Sequence, residues 1–197
     1  MKWLQNKEEP VILGSGSPRR RELLQLMQIS FQVDKSTSEE VPHSSEPSEV
    51  VMELATQKAS EVADRHRDGS LVIGADTIVA LDDRILGKPA DKAEAAEMLH
   101  ALQGRTHQVY TGVCLIRQTG TEQQKEVFYE CTSVHVAEMT DREIAAYIAT
   151  GEPLDKAGAY GIQGYFAPFI TGIEGDYYNV VGLPVHALYR HLFGTEK

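Results

Sequence analysis

Long apolar runs are absent from this 197-residue chain. None approaches the roughly 18 consecutive apolar residues that a membrane-spanning helix needs, and the opening MKWLQNKEEP lacks an apolar stretch of signal-peptide length. Neither secretion nor membrane spanning is expected, and the cytoplasm is the expected location. Cysteine is scarce: Cys114 and Cys131 stand apart, with no CxxC or Cys/His metal spacing. A chain of this size needs no disulfide staple, so both are expected to be reduced. Positive charge is short as well, with 19 Lys and Arg against 29 Asp and Glu and a net charge of -10. That excludes general nucleic-acid binding, whose affinity is built from Lys and Arg displacing counterions from phosphates. A phosphate ligand would need a local basic site. HExxH, Walker A and GxGxxG patterns are missing, and the 7 histidines form no triad with a nucleophile elbow.

What remains is an ordinary α/β composition, 42% apolar with 16 glycines and 8 prolines, expected to form one domain over residues 1–197. Val11-Ile12-Leu13 leads through Gly14-Ser15-Gly16-Ser17-Pro18 into an amphipathic stretch from Arg19 to Gln28, which reads as strand, loop, helix. Ser17 suits the N-cap and Pro18 the first helical position. Residues 34–47 read as loop, and Ser48 is expected to cap a helix running to about His66. Leu71–Ala75 reads as a buried strand, and Thr77–Leu81 with Ile85-Leu86 as a hairpin. Asp91 with Glu94 and Thr140 with Glu143 resemble capping boxes for two further helices. A longer hairpin is expected over 107–136, strands at 166–173 and 177–181, and a closing helix opened by Pro184.

Several residues fit these elements poorly unless they meet a ligand. Arg19, Arg20 and Arg21 fall in the first turn of a helix, where the macrodipole disfavours cations by about 0.3 to 1 kcal/mol each. A Ser/Gly loop at that helix start presents backbone N–H groups to an anion, and guanidiniums clamp phosphate; a capped helix with solvated arginines would read the same. Lys58 lies in the middle of the apolar face made by Val51, Leu54, Ala55 and Val62. It either snorkels to water or reaches an anion in a cleft. Asp76 follows the buried strand at the sheet edge where α/β proteins bind ligands, and could hold a metal ion or orient water, or simply end the strand. Lys88 sits between Gly87 and Pro89, Glu39 and Glu40 in the polar loop, and Gln163 in a stretch where Gly158, Gly161 and Gly164 recur every third residue. That recurrence suggests close backbone approach or left-handed turns.

Taken in order, GSGSPRR at 14–20, EE at 39–40, Lys58, GADT at 74–77, GKP at 87–89, DKAGAYGIQG at 155–164 and VVGLP at 180–184 resemble the Maf family of nucleotide pyrophosphatases, over nearly the whole chain. The resemblance implies a Maf-like α/β fold related to inosine triphosphate pyrophosphatases: an elongated, two-lobed body with a mixed sheet and a deep central cleft. It implies hydrolysis between the α and β phosphates with a divalent cation, Mg²⁺ or Mn²⁺. The family's phosphate-binding positions fall on Ser15, Ser17, Arg19, Arg20, Lys58 and Lys88. Its catalytic aspartate falls on Asp76, and its metal-holding acidic loop residue on Glu40, beside Glu39. Three specificity positions of the branch acting on dTTP and UTP fall on Arg19, Thr77 and Gln163, which favours a pyrimidine nucleotide as substrate. A house-cleaning role in the nucleotide pool and a possible homodimer are implied too. Two rival readings use the same residues: a nucleotide-binding regulator of septum formation without turnover, and a phosphatase removing only the γ-phosphate.

Overall fold

The computed structural model describes residues 10–37, 41–82 and 84–194. The chain folds into two compact units, each assembled from separated segments. The first takes in the chain up to Asp76, Thr111–Glu130 and the chain from Gly182 onward; the second takes in Thr77–Tyr110 and Cys131–Val181.

In the first unit, β1 (Val11–Leu13) pairs in parallel with β2 (Gln32–Val33) and with the first half of β3 (Asp68–Leu81), in the register Leu13↔Ile73. Between β1 and β2 runs α1 (Pro18–Leu26), capped by Ser17, whose hydroxyl accepts from Arg20 N, with Pro18 at the first position. The two-residue β2, exposed on both residues, carries too little pattern to be read from sequence. Helix α2 (Pro47–Ala63) begins two residues earlier than expected. Glu46 is its N-cap and Pro47 its first residue, so the expected cap Ser48 is already helical. Proline overrides a serine cap here because its fixed φ and missing N–H suit the first helical position.

Helix α2 packs Ala55, Ala59, Val62 and Ala63 against Ile12, Val72, Cys114 and Ile116, all 0 to 2% exposed. It comes unusually close to the sheet at two glycines. A Cβ on Gly74 would lie 2.5 Å from the Ala55 carbonyl oxygen, and one on Gly112 would lie 2.3 Å from that of Val51. Burial raises the Cys114 thiol to about 11, which leaves it a small apolar filler. Helix α6 (Val185–Phe193) closes this unit, with Pro184 at its N-cap.

Strand β3 is one 14-residue strand and not two pieces, and its second half forms the expected hairpin with β4 (Arg84–Leu86), Val79 opposite Leu86. The long strands β5 (Thr106–Thr119) and β6 (Glu122–Val136) follow, and β6 pairs antiparallel with β7 (Ile170–Glu174), giving the hydrogen-bonded order β2-β1-β3-β5-β6-β7 with β4 beside β3. The sheet is therefore mixed.

In the second unit, α3 (Lys92–Leu102) packs on α4 (Asp141–Ala149). The Thr140/Glu143 capping box forms in full. At α3, Asp91 accepts from Ala93 N and Glu94 N, but Glu94 reaches back to Ala90 N at 2.6 Å and not to the N-cap itself. The core here is Leu99, Leu102, Ile144, Tyr147, Tyr160 and Phe166 with their neighbours. Two expectations fail. Ala167–Phe169 is a 3₁₀ turn ahead of β7, so only the end of 166–173 is strand. Tyr177–Val181 is not a strand but a short helix, α5. The Asp176 side chain accepts from Tyr178 N at 2.7 Å, and Asn179 is fully buried, donating at 2.9 Å to both the Val109 carbonyl and the Thr132 hydroxyl. A buried amide with such partners outweighs the β-propensity of Tyr and Val. Among the described residues no helix is long and apolar enough to cross a membrane.

Candidate active site

The parallel pair β1/β3 delivers two segments to its carboxyl edge. Past Leu13 the chain leaves β1 as Gly14, whose N–H donates to the Ile73 carbonyl at 2.8 Å, and then forms the serine loop. Past Ile73, two buried residues bring β3 to Asp76, 9% exposed. Ligands of open α/β sheets bind at such an edge. The serine loop is braced internally. The Ser15 hydroxyl, 6% exposed, accepts from Ser17 N at 3.3 Å and from Arg20 Nη1 at 3.1 Å. Arg20 Nε donates to the Gly182 carbonyl at 2.8 Å, which ties the loop to the glycine of VVGLP. Arg21 is exposed and donates to the Gly16 carbonyl of the loop at 3.4 Å, whereas Arg19 and Arg20 are half-buried. The first turn of α1 holds no acidic residue. Its dipole and its arginines therefore set up positive potential at one place.

Lys58 does lie among apolar residues: Val51, Leu54, Ala55 and Val62 are 0 to 7% exposed. Its ammonium is not at the surface. Nζ donates to Asp76 Oδ1 at 2.5 Å, with the two side chains 13% and 12% exposed. The Asp76 carboxylate is thus an anion that Lys58 reaches within the chain. Such a charge-assisted contact fixes the orientation of the carboxylate at the sheet edge.

The polar edge of α2 and the turn after it carry a set of residues that the sequence reading missed. Glu53, Gln57, Glu61 and Arg65 recur every fourth residue and hold the segments on either side of 38–40. Glu53 accepts from His43 N at 2.7 Å, and the Gln57 amide both donates to and accepts from the Val41 backbone. Glu61 accepts from the Ser36 hydroxyl and from Thr37 N at 3.1 Å. Arg65 grips Asp34 through two nitrogens at 3.0 and 2.8 Å, and with His66 holds the Asp34 carboxyl below the usual carboxylate range. The i, i+4 spacing was the available signal. Glu39 and Glu40 themselves lie outside the described residues.

The remaining positions belong to the second unit. Thr77 is half-buried in β3, directly after Asp76. Lys88 is exposed between Gly87, whose carbonyl accepts from Gly158 N at 3.0 Å, and buried Pro89. Gln163 is exposed in a turn closed by Gly164 N donating to the Gly161 carbonyl at 3.1 Å. Among the described residues no group of three or more His, Cys, Asp or Glu could hold a metal ion.

An anion-ready loop and an ion-paired carboxylate at the carboxyl edge of a parallel strand pair define a class: an α/β protein built to handle phosphate. The profile of the Maf-like protein family matches residues 10–194, and the chain belongs to that family. It is 56% identical over 182 residues to the dTTP/UTP pyrophosphatase of Bacillus cytotoxicus, covering 92% of this chain and 93% of that one. It is 54% identical over 183 residues to the dTTP/UTP pyrophosphatase of Bacillus anthracis, again with 92% and 93% covered. Among solved structures it is similar to the Ham1 protein of Staphylococcus aureus, at a TM-score of 0.48 and 16% identity over 66% of this chain and 73% of that one. It is also similar to a nucleoside-triphosphatase / dITP/XTP pyrophosphatase from Mycobacterium abscessus, at a TM-score of 0.45 and 15% identity over 93% and 95%.

Proposed function

We propose that this protein hydrolyses dTTP and UTP to the monophosphate and pyrophosphate, clearing unwanted pyrimidine nucleotides from the cytoplasmic pool. The observation that carries this reading is the Lys58–Asp76 pair beside the Ser15–Arg20 loop at one sheet edge. A relative sharing more than half its residues with this chain is called a dTTP/UTP pyrophosphatase, which supports the substrate class.

Attack of water on the α-phosphorus drives negative charge onto the departing pyrophosphate, so donors placed there in advance lower the barrier. Arg19, Arg20 and Lys88 are assigned that neutralisation, and the N–H groups at the start of α1 take phosphate oxygens together with the hydroxyls of Ser15 and Ser17. Asp76 orients the attacking water and accepts its proton, and Lys58 holds the carboxylate in place. A divalent cation suits this donor set, since Mg²⁺ binds through one or two carboxylates plus substrate phosphates. Asp76 and Glu40 are the residues that would hold it, and when bound it supplies charge neutralisation and a more acidic water. Arg19, Thr77 and Gln163 are assigned the choice of base: a glutamine amide offers the donor and acceptor that a uracil or thymine edge requires. A homodimer is the assembly proposed, on the family resemblance alone.

The test is product analysis. Incubation of the protein with UTP or dTTP and Mg²⁺ should release pyrophosphate. Orthophosphate as first product would replace this reading with a γ-phosphatase, and tight nucleotide binding without product would replace it with a nucleotide sensor.

A further inference from the structure

The turn that presents Gln163 is built around one carboxylate. Glu152 Oε2 accepts from Tyr165 N at 2.9 Å, and Oε1 accepts from the Tyr147 hydroxyl at 2.9 Å. The Tyr147 oxygen in turn accepts from Gly161 N at 3.2 Å. Both ends of residues 161–165 are therefore tied to Glu152, one directly and one through a phenol. Tyr147 is 4% exposed and donates from a hydroxyl whose burial, with the carboxylate beside it, pushes its pKa far above the ordinary value, so it remains a donor at any physiological pH.

Gly164 gives independent support. A Cβ there would lie 2.2 Å from each carboxylate oxygen of Glu152 and 2.3 Å from its Cδ, so the acid occupies the space a side chain would take. Gly164 has no left-handed backbone to explain it, in contrast to Gly158 at φ 66°. The third-residue glycine pattern thus has two origins, a left-handed turn at one position and room for a carboxylate at another.

Resting on the pyrimidine reading given above, we infer that Glu152 and Tyr147 are positioning residues for base selection. Neither touches the base; they hold the backbone of the turn so that Gln163 meets the pyrimidine edge without first being ordered. Preorganised contacts made equally in the bound and transition states appear in KM and not in kcat. A glutamine at 152 replaces one of the two acceptor oxygens by a donor facing a donor, so the turn loses one of its ties.

The experiment compares the parent, Glu152→Gln and Tyr147→Phe by three readings: pyrophosphate release from UTP and ATP, titration with non-hydrolysable uridine and adenosine triphosphate analogues, and amide hydrogen exchange over 161–165. Both variants should raise KM for UTP about tenfold, leave kcat within about threefold and leave the ATP parameters unchanged, the pattern of a lost uniform-binding contact. Exchange at 161–165 should quicken, because protection there reports local opening. Equal losses for both nucleotides, or a drop in kcat at constant KM, would overturn the inference. So would faster exchange with the uridine preference intact. A parent that binds uridine and adenosine analogues alike would instead overturn the pyrimidine reading, and the inference with it.

Discussion

Replacing Lys58 by Met separates the two roles of the ion pair. The substitution keeps most of the apolar stem among Leu54, Ala55 and Val62 but leaves the Asp76 carboxylate, 12% exposed, without the ammonium that sits 2.5 Å from it. Breaking a fully buried pair costs about 3 to 5 kcal/mol, and an exposed pair contributes about 0.2 to 1 kcal/mol. Side chains 13% and 12% exposed fall between those limits, so a loss of about 2 kcal/mol is expected. For a chain of this size that is about 4 to 8 °C in Tm. The double variant Lys58→Met/Asp76→Asn removes both charges, and it should recover most of the lost Tm because no carboxylate is left stranded. Its activity should not recover. The assay is thermal melting by circular dichroism beside pyrophosphate release from UTP. A single variant that melts within 1 °C or so of the parent would refute the pair, and so would a double variant whose Tm loss is the sum of the two singles.

Asp76→Asn should keep the fold by circular dichroism and lower turnover by about 10² to 10⁴-fold, the usual cost of losing a general base; a rate within a few-fold of the parent would remove Asp76 from the chemistry. Chelation of divalent cations should abolish pyrophosphate release, and added Mg²⁺ or Mn²⁺ should restore it. Gln163→Ala should shrink a preference of at least about tenfold for UTP over ATP, a gap that takes about 1.4 kcal/mol; equal losses on both would refute the assignment. His107 is fully buried, and burial lowers its pKa from 6.5 to about 4. The unfolded chain therefore binds the extra proton first, and stability should fall as pH drops from about 6.5 towards 4, by about 3 kcal/mol in all. Melting curves across that range should flatten in His107→Gln.

Features governed by local chemistry were legible in the sequence. The Ser17 cap, the Thr140/Glu143 box and the placing of Lys58 on an apolar face follow from neighbours three or four residues away. Features governed by distant partners were not. Tyr177–Val181 reads as strand until Asn179 finds Val109 and Thr132, 70 and 47 residues away. Lys58 advertised an anion, but that Asp76 comes within its reach depends on α2 lying over β3. Glu152 drew no reading from its sequence neighbours, and its meaning comes from the Tyr147 phenol and the Tyr165 amide that donate to it.

The glycines under α2 set a tolerance for everything that helix carries. With Ala55 and Val51 carbonyls where the β-carbons of residues 74 and 112 would be, helix and sheet touch backbone to backbone. One added methyl at either place must lift the helix, and Lys58 rides on it. A lysine tip held at 2.5 Å from a carboxylate cannot follow a rigid displacement of even 1 Å without changing its angle of approach. The glycine of GADT thus works as a gauge block: it fixes, from beneath and without touching a substrate, the height at which the ammonium meets the acid two residues further along the same strand.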